Sequence, residues 1–453
     1  MFRAYDIRGV VGDVLDEEVA RAIGVAIGSE AYERGQQTLV VGYDCRVSSP
    51  ELTSALVEGL VTSGRDVIEI GCVPTPVVYY ATHFLNTGSG VMVTGSHNPP
   101  EYNGMKIMLA GETLFGDDIA ALRERHLAGN LVSGQGSVTH VEVIDEYVRR
   151  VSEDVPVALG NAFRIVVDCG NGVAGAVAPK VYRALGHDVV ELHCELDGRF
   201  PNHHPDPSQP ENLAELVLAV REHEADLGFA FDGDGDRLGV VDAAGNIIWP
   251  DRQMMLFAVD VLRRNPGAPI IFDVKCSSRL QKVIEAKGGK PVMTRTGHSF
   301  IKNTLRELEA PLAGEMSGHI FFSERWYGFD DAIYAGARML EILMGLKQRP
   351  SDVFARLPSG VATPELRLDL PEGRPLELMS RLLSEEHLTD GRVTTVDGLR
   401  VDYPDAWGLV RASNTTPSLV LRFEGDDEAA LERVQERFRR VLTELDPELD
   451  LPF

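Results

Sequence analysis

A serine at the end of an apolar segment is the first residue of this chain whose setting favours covalent chemistry. Residues 91–93 predict a short buried strand, and residues 94–100 (TGSHNPP) interrupt it with turn-forming side chains. An alternating strand pattern resumes at residues 102–108 and carries Lys106. The hydroxyl of Ser96 is therefore expected at a strand end beside a cation, which suits a nucleophile or a phosphate carrier. An ordinary Ser-Asn-Pro turn is the alternative.

Three carboxylates that alternate with glycines predict a cation site. Asp232, Asp234 and Asp236 directly follow the apolar residues 227–231. Their repulsion is costly unless a hard cation collects their oxygens, and the glycines let the backbone wrap around it. An EF-hand is excluded because Arg237 stands where that loop needs glycine. Three carboxylates leave coordination positions open, which favours Mg²⁺ over a closed Ca²⁺ cage, with a solvated acidic turn as the alternative.

Two further loops combine groups that bind sugars and phosphates. Residues 314–319 (GEMSGH) offer an acceptor, a hydroxyl and an imidazole, the mixture that sugar hydroxyls need, although a glycine-rich hairpin turn has a similar composition. Residues 411–417 (RASNTTP) have the composition of a phosphate nest, with a polar strand connection as the alternative. Six other residues lie beside turns containing glycine or aspartate, and each alone is more typical of a surface charge: Arg8, Lys106, Arg237, Arg252, Lys275 and His298.

The elements that must position these loops recur three times. An apolar strand that ends in an aspartate close to a cysteine appears at residues 39–45, 164–169 and 269–276. A helical segment, a glycine-led second strand and a further unit follow each of them, and each unit ends in one of the loops at 94–98, 232–237 and 314–319. Ligands of open α/β sheets bind beyond the carboxyl ends of strands, so three such ends facing one cleft would assemble a single site.

The pattern changes after about residue 358. Short alternating runs precede a terminal helix whose buried face is marked by Leu431, Val434, Phe438 and Val441. The predicted fold class is therefore α/β, with three related α/β domains around a central cleft plus a C-terminal α+β domain. We expect the domains to divide as 1–143, 144–246, 247–358 and 359–453.

The length and the net charge of the chain argue against some classes of function. A chain of 453 residues is too long for one core, and 44 Lys plus Arg against 69 Asp plus Glu give a net charge of -25. This balance argues against nucleic acid as a partner. No apolar run approaches a membrane span, residues 1–6 do not resemble a signal peptide, and the five cysteines are widely spaced. A cytoplasmic protein with reduced thiols and no membrane partner is expected.

Four motifs taken in order resemble those of the α-D-phosphohexomutase family, most of all its bacterial phosphomannomutase/phosphoglucomutase branch. They stand at residues 94–99, 232–237, 314–319 and 411–417, so the resemblance covers essentially the whole chain. It implies reversible phosphoryl transfer between O1 and O6 of mannose and glucose phosphates through a phosphoserine and a 1,6-bisphosphate. It further implies Mg²⁺, glucose 1,6-bisphosphate or an equivalent as activator, and a monomer or weak dimer. Gly95 stands where many members have alanine, which is expected to loosen the turn.

Carried over residue by residue, the resemblance also implies roles. Ser96 would be the phosphoserine and would bind the metal with Asp232, Asp234 and Asp236, while Arg8, Lys106 and His298 would be catalytic. The implied substrate-binding residues are Tyr5, Arg237, Arg252, Lys275, Glu315, Ser317, His319, Arg411, Ser413, Asn414 and Thr415.

Three other functions remain as alternatives. A phosphoglucosamine mutase of the same family is one, although Met316 stands where that branch usually carries glutamine. An aspartyl-phosphate phosphatase with Asp232 as nucleophile is another, but its motif usually continues to Thr or Val where Asp236 stands, and it leaves Ser96 unexplained. A sugar-phosphate binder without activity is the third, which the complete set of chemical groups disfavours.

Overall fold

Four β-sheets, each with its own helices, make up the fold. The computed structural model describes residues 1–2, 6–158, 162–384, 388, 390–413 and 416–453. Three sheets mix parallel and antiparallel strands, and the fourth is antiparallel throughout. This arrangement confirms the predicted class, three α/β units followed by an α+β unit. Among the described residues no helix is long and apolar enough to cross a membrane.

The first unit has seven strands in the order β1-β5-β4-β2-β3-β7, with β6 paired to β5. Its first helix starts at a side-chain cap, where Asp16 accepts a hydrogen bond from the backbone N–H of Val19. In chain order the elements are β1 (Ile7–Val10), α1 (Glu17–Glu33), β2 (Thr38–Tyr43), α2 (Ser49–Thr62), β3 (Asp66–Cys72), α3 (Thr75–Phe84), β4 (Gly90–Val93), β5 (Tyr102–Leu109), β6 (Glu112–Thr113), α4 (Asp117–Leu127) and β7 (Val138–His140).

The second and third units each contain a four-stranded sheet. The second comprises α5 (Ile144–Asp154), β8 (Arg164–Asp168), α6 (Ala178–Ala184), β9 (Asp188–Leu192), α7 (Ala214–Glu222), β10 (Leu227–Phe231) and β11 (Leu238–Asp242). The third comprises α8 (Pro250–Arg264), β12 (Pro269–Asp273), α9 (Ser278–Ala286), β13 (Lys290–Thr294), α10 (His298–Glu307), β14 (Leu312–Gly314), β15 (Ile320–Phe322), α11 (Ala332–Leu346) and α12 (Pro350–Ala355).

A common four-strand core underlies the three units. The strand orders β3-β2-β4-β5, β9-β8-β10-β11 and β13-β12-β14-β15 are equivalent. In each case the first three strands are parallel and the last one pairs antiparallel through a hairpin. The internal repeat expected from the sequence is therefore present at the level of topology.

The fourth unit is an antiparallel sheet of six strands covered by helices. Its order is β16-β21-β20-β19-β18, with β17 also paired to β21. The helix α14 buries Val434, Phe438 and Val441 as its periodicity predicts, while Leu431 is only partly buried. The elements are β16 (Val361–Ala362), β17 (Leu366–Asp369), α13 (Arg374–Ser384), β18 (Arg392–Thr394), β19 (Leu399–Asp402), β20 (Ala406–Ala412), β21 (Ser418–Gly425) and α14 (Glu428–Leu445).

Buried apolar side chains join the first three units. One continuous cluster runs from Val40 of β2 to Phe354 of α12, so the sheets that carry the chemical loops share a core. The fourth unit has a separate core. Close packing inside such a core fixes the relative positions of the three loops, because small displacements leave unfilled space or overlaps.

We predict that Gly24→Ala destabilises the first unit. A Cβ at Gly24 of α1 would lie 2.3 Å from the carbonyl oxygen of Leu56 of α2, so the two helices would have to separate. The expected loss is about 1–3 kcal/mol of unfolding free energy, measured by urea or thermal unfolding. Gly345→Ala in α11 is the control, since nothing lies within 4 Å of its added Cβ. The control should be neutral or slightly stabilising, and an unchanged Gly24→Ala protein would contradict the prediction.

Candidate active site

The three predicted loops occupy the same position in the three units and meet one another. Each joins the last parallel strand to its antiparallel neighbour: β4 to β5, β10 to β11, and β14 to β15. The backbone N–H of Leu238 donates to the oxygen of Gly318 at 3.1 Å, which links the second loop to the third. A Cβ at Gly233 would lie 2.3 Å from the oxygen of Ser96, so only glycine allows the second loop to approach the first this closely.

Ser96 is buried and held in an unusual backbone conformation. Its φ of 49° lies in the left-handed region, which costs free energy for a residue with a Cβ and is often found at functional sites. Its side-chain Oγ lies 3.1 Å from Oδ2 of Asp232 and 3.1 Å from Nδ1 of His97. The serine is therefore presented to the carboxylates of the second unit, as expected of a phosphate carrier.

A buried arginine, which the sequence did not indicate, holds the serine loop. Arg46 donates hydrogen bonds of 2.5 to 3.0 Å to the backbone oxygens of Ser96, Asn98, Pro99 and Tyr102. Its guanidinium also pairs with Asp44. Because a buried charge persists only when its hydrogen bonds are satisfied, this set of bonds determines the shape of the loop.

Gly95 does not loosen this turn, contrary to the expectation from the sequence. A Cβ at this position would lie 2.4 Å from Nε and Cζ of Arg46 and 2.7 Å from the oxygen of Tyr102. The glycine thus allows the guanidinium to pack directly against the backbone. The backbone N–H of Gly95 also donates to Asp44 at 3.1 Å, so the turn is anchored on both sides.

In the first and third units, the aspartate that ends the first strand of the repeat holds the chemical loop. Asp44 accepts hydrogen bonds from Thr94 at 2.7 Å and from Gly95, and thereby holds the serine loop. Asp273 accepts from the backbone N–H of Met316 at 3.1 Å and holds the loop at 314–319. The third equivalent, Asp168, contacts His203 at 3.0 Å. The recurrence of these aspartates was visible in the sequence, but their function was not.

The carboxylates of the second loop form a compact buried cluster. One oxygen each from Asp232, Asp234 and Asp236 lies within 4.8 Å of the others, and all three side chains are fully buried. Lys106 of β5 pairs with Asp236, and its Nζ lies 2.7 Å from Asp234. Burial opposes a charged lysine, yet these two carboxylates raise the pKa of Lys106 well above its ordinary value. Burial and the other two carboxylates raise the pKa of Asp232.

This cluster fits a hard divalent cation. Oδ1 of Asp234 and Oδ1 of Asp236 are buried and have no hydrogen-bond partner among the described residues. Unpaired carboxylate oxygens in a buried site are costly unless a cation binds them. The three aspartates would hold such an ion, with the Ser96 side chain adjacent. A second group of possible ligands, Asp236, His319 and Asp330, adjoins it.

The third loop contains the residues predicted to bind the hydroxyl groups of a sugar. Glu315 is buried and accepts a hydrogen bond of 2.6 Å from the backbone N–H of Gly297. Burial raises the pKa of Glu315. The Oγ of Ser317 has no hydrogen-bond partner among the described residues, and is therefore available to a ligand. Nε2 of His319 accepts a hydrogen bond from Nε of Arg237 at 3.1 Å.

Cations from the third and fourth units face carboxylates of the fourth. Lys275 Nζ lies 2.8 Å from Oε2 of Glu365, and Nε of Arg411 donates to Asp397 at 2.9 Å. Nη2 of Arg411 is buried and has no hydrogen-bond partner in the part of the chain that the structure describes. A phosphate oxygen is a suitable acceptor for this group. Ser413 begins the loop, whereas Asn414 and Thr415, like Tyr5, lie outside the described residues.

The remaining two arginines have different surroundings. Arg8 of β1 donates to Oδ1 of Asn98 at 2.7 Å, which places it beside the serine loop. Arg252 of α8 donates instead to the backbone oxygens of Phe354 and Leu357, at 2.6 and 3.4 Å. It therefore supports the connection to the fourth unit, and its contacts do not link it to the three hairpin loops.

His298 begins α10 beside the third loop and completes the predicted set. Its ring stacks on that of His319 with centroids 5.4 Å apart. The structure also adds charged residues that the sequence did not single out, namely Lys302 and Asp330 next to these histidines, together with Arg46, Glu365 and Asp397. A hydroxyl, a carboxylate cluster that could hold a cation and a loop of sugar-type acceptors therefore lie on adjoining loops, as an enzyme of phosphoryl transfer to sugars requires.

Comparison with known proteins agrees with this class. Four family models match consecutive segments: the α/β/α domains I, II and III of phosphoglucomutase/phosphomannomutase at residues 1–129, 145–245 and 249–360, and its C-terminal domain at 365–441. A phosphomannomutase/phosphoglucomutase of Pseudomonas aeruginosa is 55% identical over 453 residues, which are 100% of this chain and 97% of the relative. A phosphoglucomutase of Neisseria gonorrhoeae is 51% identical, covering 100% and 98%.

A solved structure gives the same result. The crystal structure of a phosphoglucomutase/phosphomannomutase family protein from Burkholderia thailandensis matches with a TM-score of 0.94 and 50% identity. The match covers 100% of this chain and 99% of the other. The chain therefore belongs to the phosphoglucomutase/phosphomannomutase family of the α-D-phosphohexomutases, a family of isomerases that use a metal ion.

We predict that Arg46→Lys lowers turnover without unfolding the protein. A lysine lacks the planar set of donors that reaches four carbonyl oxygens at once, so the Ser96 turn should lose its fixed geometry. A displacement of about 1 Å at a reacting group can reduce the rate by about 100-fold, and we expect a loss of at least about tenfold in kcat. Steady-state kinetics and thermal unfolding are the measurements.

Arg65→Lys provides the matched control for Arg46→Lys. Arg65 is also a buried arginine of the first unit, but it donates to the backbone oxygen of Gln36, away from the serine loop. Its replacement should leave kcat within about twofold. Equal kcat losses in both variants would show that Arg46 has no specific relation to Ser96.

Proposed function

We propose that this chain interconverts hexose 1-phosphates and hexose 6-phosphates by reversible phosphoryl transfer through Ser96, with mannose and glucose phosphates as substrates. The observation that supports this most directly is the approach of Ser96 Oγ to within 3.1 Å of the three-carboxylate cluster, on a turn fixed by Arg46. The named activities of the relatives from Pseudomonas and Neisseria agree with it.

In the proposed reaction a phosphoryl group on Ser96 moves to O1 or O6 of a bound hexose phosphate. The bond from phosphorus to serine Oγ breaks and Oγ takes up a proton, while a bond from phosphorus to the sugar oxygen forms and the hydroxyl proton of the sugar leaves to a neighbouring base. The bisphosphorylated sugar then turns around and returns its other phosphoryl group to Ser96, which regenerates the enzyme. Catalysis rests on positioning and charge stabilisation rather than on further covalent chemistry.

Around the phosphoserine the cations have distinct proposed roles. Lys106 and Arg8 flank the transferring group, and Arg237 lies between the second and third loops, in contact with His319. Burial and the surrounding cations lower the pKa of His97 well below its ordinary value, so its ring is neutral beside Ser96. A neutral imidazole 3.1 Å from Oγ orients the hydroxyl without adding charge.

Mg²⁺ is the proposed ion of the carboxylate cluster. When bound, it would supply Lewis-acid stabilisation of the charge on the transferring phosphoryl group. The chain's own part is to hold the ion with oxygens of Asp232, Asp234 and Asp236, while Lys106 keeps two of these carboxylates fixed. Glucose 1,6-bisphosphate, or an equivalent, is the proposed activator that phosphorylates an enzyme lacking its phosphate.

The other side of the cleft is proposed to hold the sugar and its non-reacting phosphate. Glu315, Ser317 and His319 would form hydrogen bonds with the hydroxyl groups of the sugar, and His298 lies beside His319. Arg411 would bind the non-reacting phosphate together with Ser413, Asn414 and Thr415, and Lys275 would assist. Two of these cations now pair with Asp397 and Glu365, so a bound phosphate would compete with internal carboxylates.

The contacts of Asp232 disfavour the aspartyl-phosphate alternative. Its Oδ1 accepts hydrogen bonds from the backbone N–H groups of Asp236 and Arg237, at 3.0 and 3.1 Å, and its Oδ2 faces Ser96. Both oxygens are thus engaged in shaping the loop. A nucleophilic carboxylate needs one oxygen directed at the substrate phosphorus.

We predict an acid-stable phosphate on Ser96, detected by intact mass and phosphopeptide mapping of purified protein. Ser96→Ala should abolish this phosphate and reduce mutase turnover by at least about 1,000-fold, since the carrier hydroxyl is missing. Thr94→Ser is a conservative control, because its hydroxyl can still accept from the Ser96 N–H. An acid-labile, hydroxylamine-sensitive phosphate on Asp232 would contradict the prediction.

We predict that activity depends on Mg²⁺ and that Asp234→Asn weakens metal binding. The change removes one negative charge from the cluster and leaves Lys106 with a weaker partner. Calorimetric titration with Mg²⁺ should show at least about a tenfold higher Kd. Asp242→Asn, on β11 beyond the loop, is the control. Full activity after thorough chelation, with no metal found by elemental analysis, would exclude the assignment.

We predict that glucose 1-phosphate and mannose 1-phosphate are isomerised with kcat/KM values within about tenfold, a gap of about 1.4 kcal/mol. Glucosamine 1-phosphate should be much poorer, because Met316, within the sugar loop, offers only an apolar side chain that is partly buried against the core. Rates measured in competition among the three sugars decide this. A preference for glucosamine phosphate would favour the phosphoglucosamine mutase alternative.

A further inference from the structure

A buried carboxylate lies behind the two histidines of the cleft. Asp330, which is fully buried, stands between β15 and α11. Its Oδ2 lies 3.1 Å from Nδ1 of His319 and 3.5 Å from Nδ1 of His298. The backbone fixes it on both sides, since Asp330 forms a bridge with Phe321 and the following residue caps α11. One rigidly held oxygen thus lies within ion-pair distance of a ring nitrogen of each histidine.

A lysine holds the other oxygen of this carboxylate. Lys302 Nζ lies 3.1 Å from Oδ1 of Asp330, one helical turn after His298 on α10. The same Nζ donates to the hydroxyl of Tyr79 at 3.2 Å and sits 4.3 Å from the centre of its ring. Because Tyr79 belongs to α3, this contact ties the pair to the first unit, which also carries Ser96.

The hydrogen-bond pattern fixes the tautomer of His319. Nε of Arg237 donates to Nε2 of His319, so the ring proton of a neutral His319 must be on Nδ1. Two carboxylate oxygens lie within ion-pair distance of that nitrogen: Oδ2 of Asp330 at 3.1 Å and Oδ1 of Asp236 at 3.4 Å. His319 therefore lies between the carboxylate cluster and Asp330.

We propose that Asp330 and Lys302 are positioning residues of the phosphoryl-transfer site: Asp330 holds Nδ1 of His298 and of His319, and Lys302 fixes Asp330 against Tyr79. This role rests on the proposed function, and neither residue touches the reacting groups. Orienting partners of this kind typically change rates through the residues they hold, because a wrong tautomer or ring plane is not productive.

Asp330→Asn is the principal test. An amide offers one acceptor oxygen where the carboxylate offers two, so it cannot serve Lys302 and both imidazoles. We expect kcat to fall at least about tenfold while KM for glucose 1-phosphate changes less than about threefold. In protein labelled with ¹⁵N-histidine, NMR should show His319 as the Nδ1–H tautomer in the unaltered protein and a changed signal in the variant.

Two variants at Lys302 test the second half of the proposal. Lys302→Met should lower kcat and alter the histidine signals in the same sense as Asp330→Asn, and Lys302→Arg should restore kcat to within about threefold, since it can still pair with Asp330. If Asp330→Asn does not fold, the double variant Asp330→Asn with Lys302→Met removes both buried charges and keeps the test available.

Asp331→Asn is the matched control. This neighbouring aspartate is equally buried but contacts the hydroxyl of Tyr147 and the ring N–H of Trp326, not the histidines. It should lower the unfolding temperature and leave kcat and the histidine signals unchanged. Unchanged histidine signals in Asp330→Asn, or an equal loss of kcat in Asp331→Asn, would overturn the proposal. A protein without mutase activity would refute the proposed function instead, while the NMR result would still decide the positioning role.

Discussion

The negative charge of three buried carboxylates is the constraint on which the rest of the site depends. Asp232, Asp234 and Asp236 have no access to water, and Lys106 alone pairs closely with two of them among the described residues. A phosphate on Ser96 would add about 1.5 to 2 further negative charges at neutral pH. Such a site is stable only if cations converge on it. This explains why a chain with a net charge of -25 places Lys106 of the first unit and Arg237 of the second beside these carboxylates.

One strand arrangement, repeated in three units, brings the groups of the site together. A hairpin connection at the same place in each unit carries the hydroxyl, the cation ligands and the sugar acceptors in turn. In two of the units the aspartate at the end of the first strand then holds the loop: Asp44 accepts from the backbone N–H of Gly95, and Asp273 from that of Met316. Since the three sheets share a continuous core, the hairpins cannot drift apart without opening cavities. The packing of the shared core therefore fixes the relative positions of the hairpin loops.

The fold class and the loops that carry chemical groups could be predicted from the sequence, because composition and strand periodicity are local signals. The residues that hold those loops were missed, since their partners are distant in the chain: Arg46 binds backbone oxygens about fifty residues away. Asp330 escaped notice for another reason. In the run Asp330-Asp331 either residue can cap the next helix, and only the structure shows that Asp331 does so while Asp330 faces the histidines. The expectation that Gly95 loosens its turn failed because Arg46 fills the space beside it.

A bisphosphorylated sugar presents a phosphate at both ends, so the proposed site must distinguish them by position alone. The reacting end would face Ser96 and the cation cluster, and the other end would face Arg411. Asp397 links the two regions, because it accepts from Arg411 and from the backbone N–H of Thr296, two residues before His298. A phosphate that competes for Arg411 would therefore act on a carboxylate that also holds the backbone leading into the histidine pair. The proposed site of the non-reacting phosphate and the segment before His298 thus share one carboxylate.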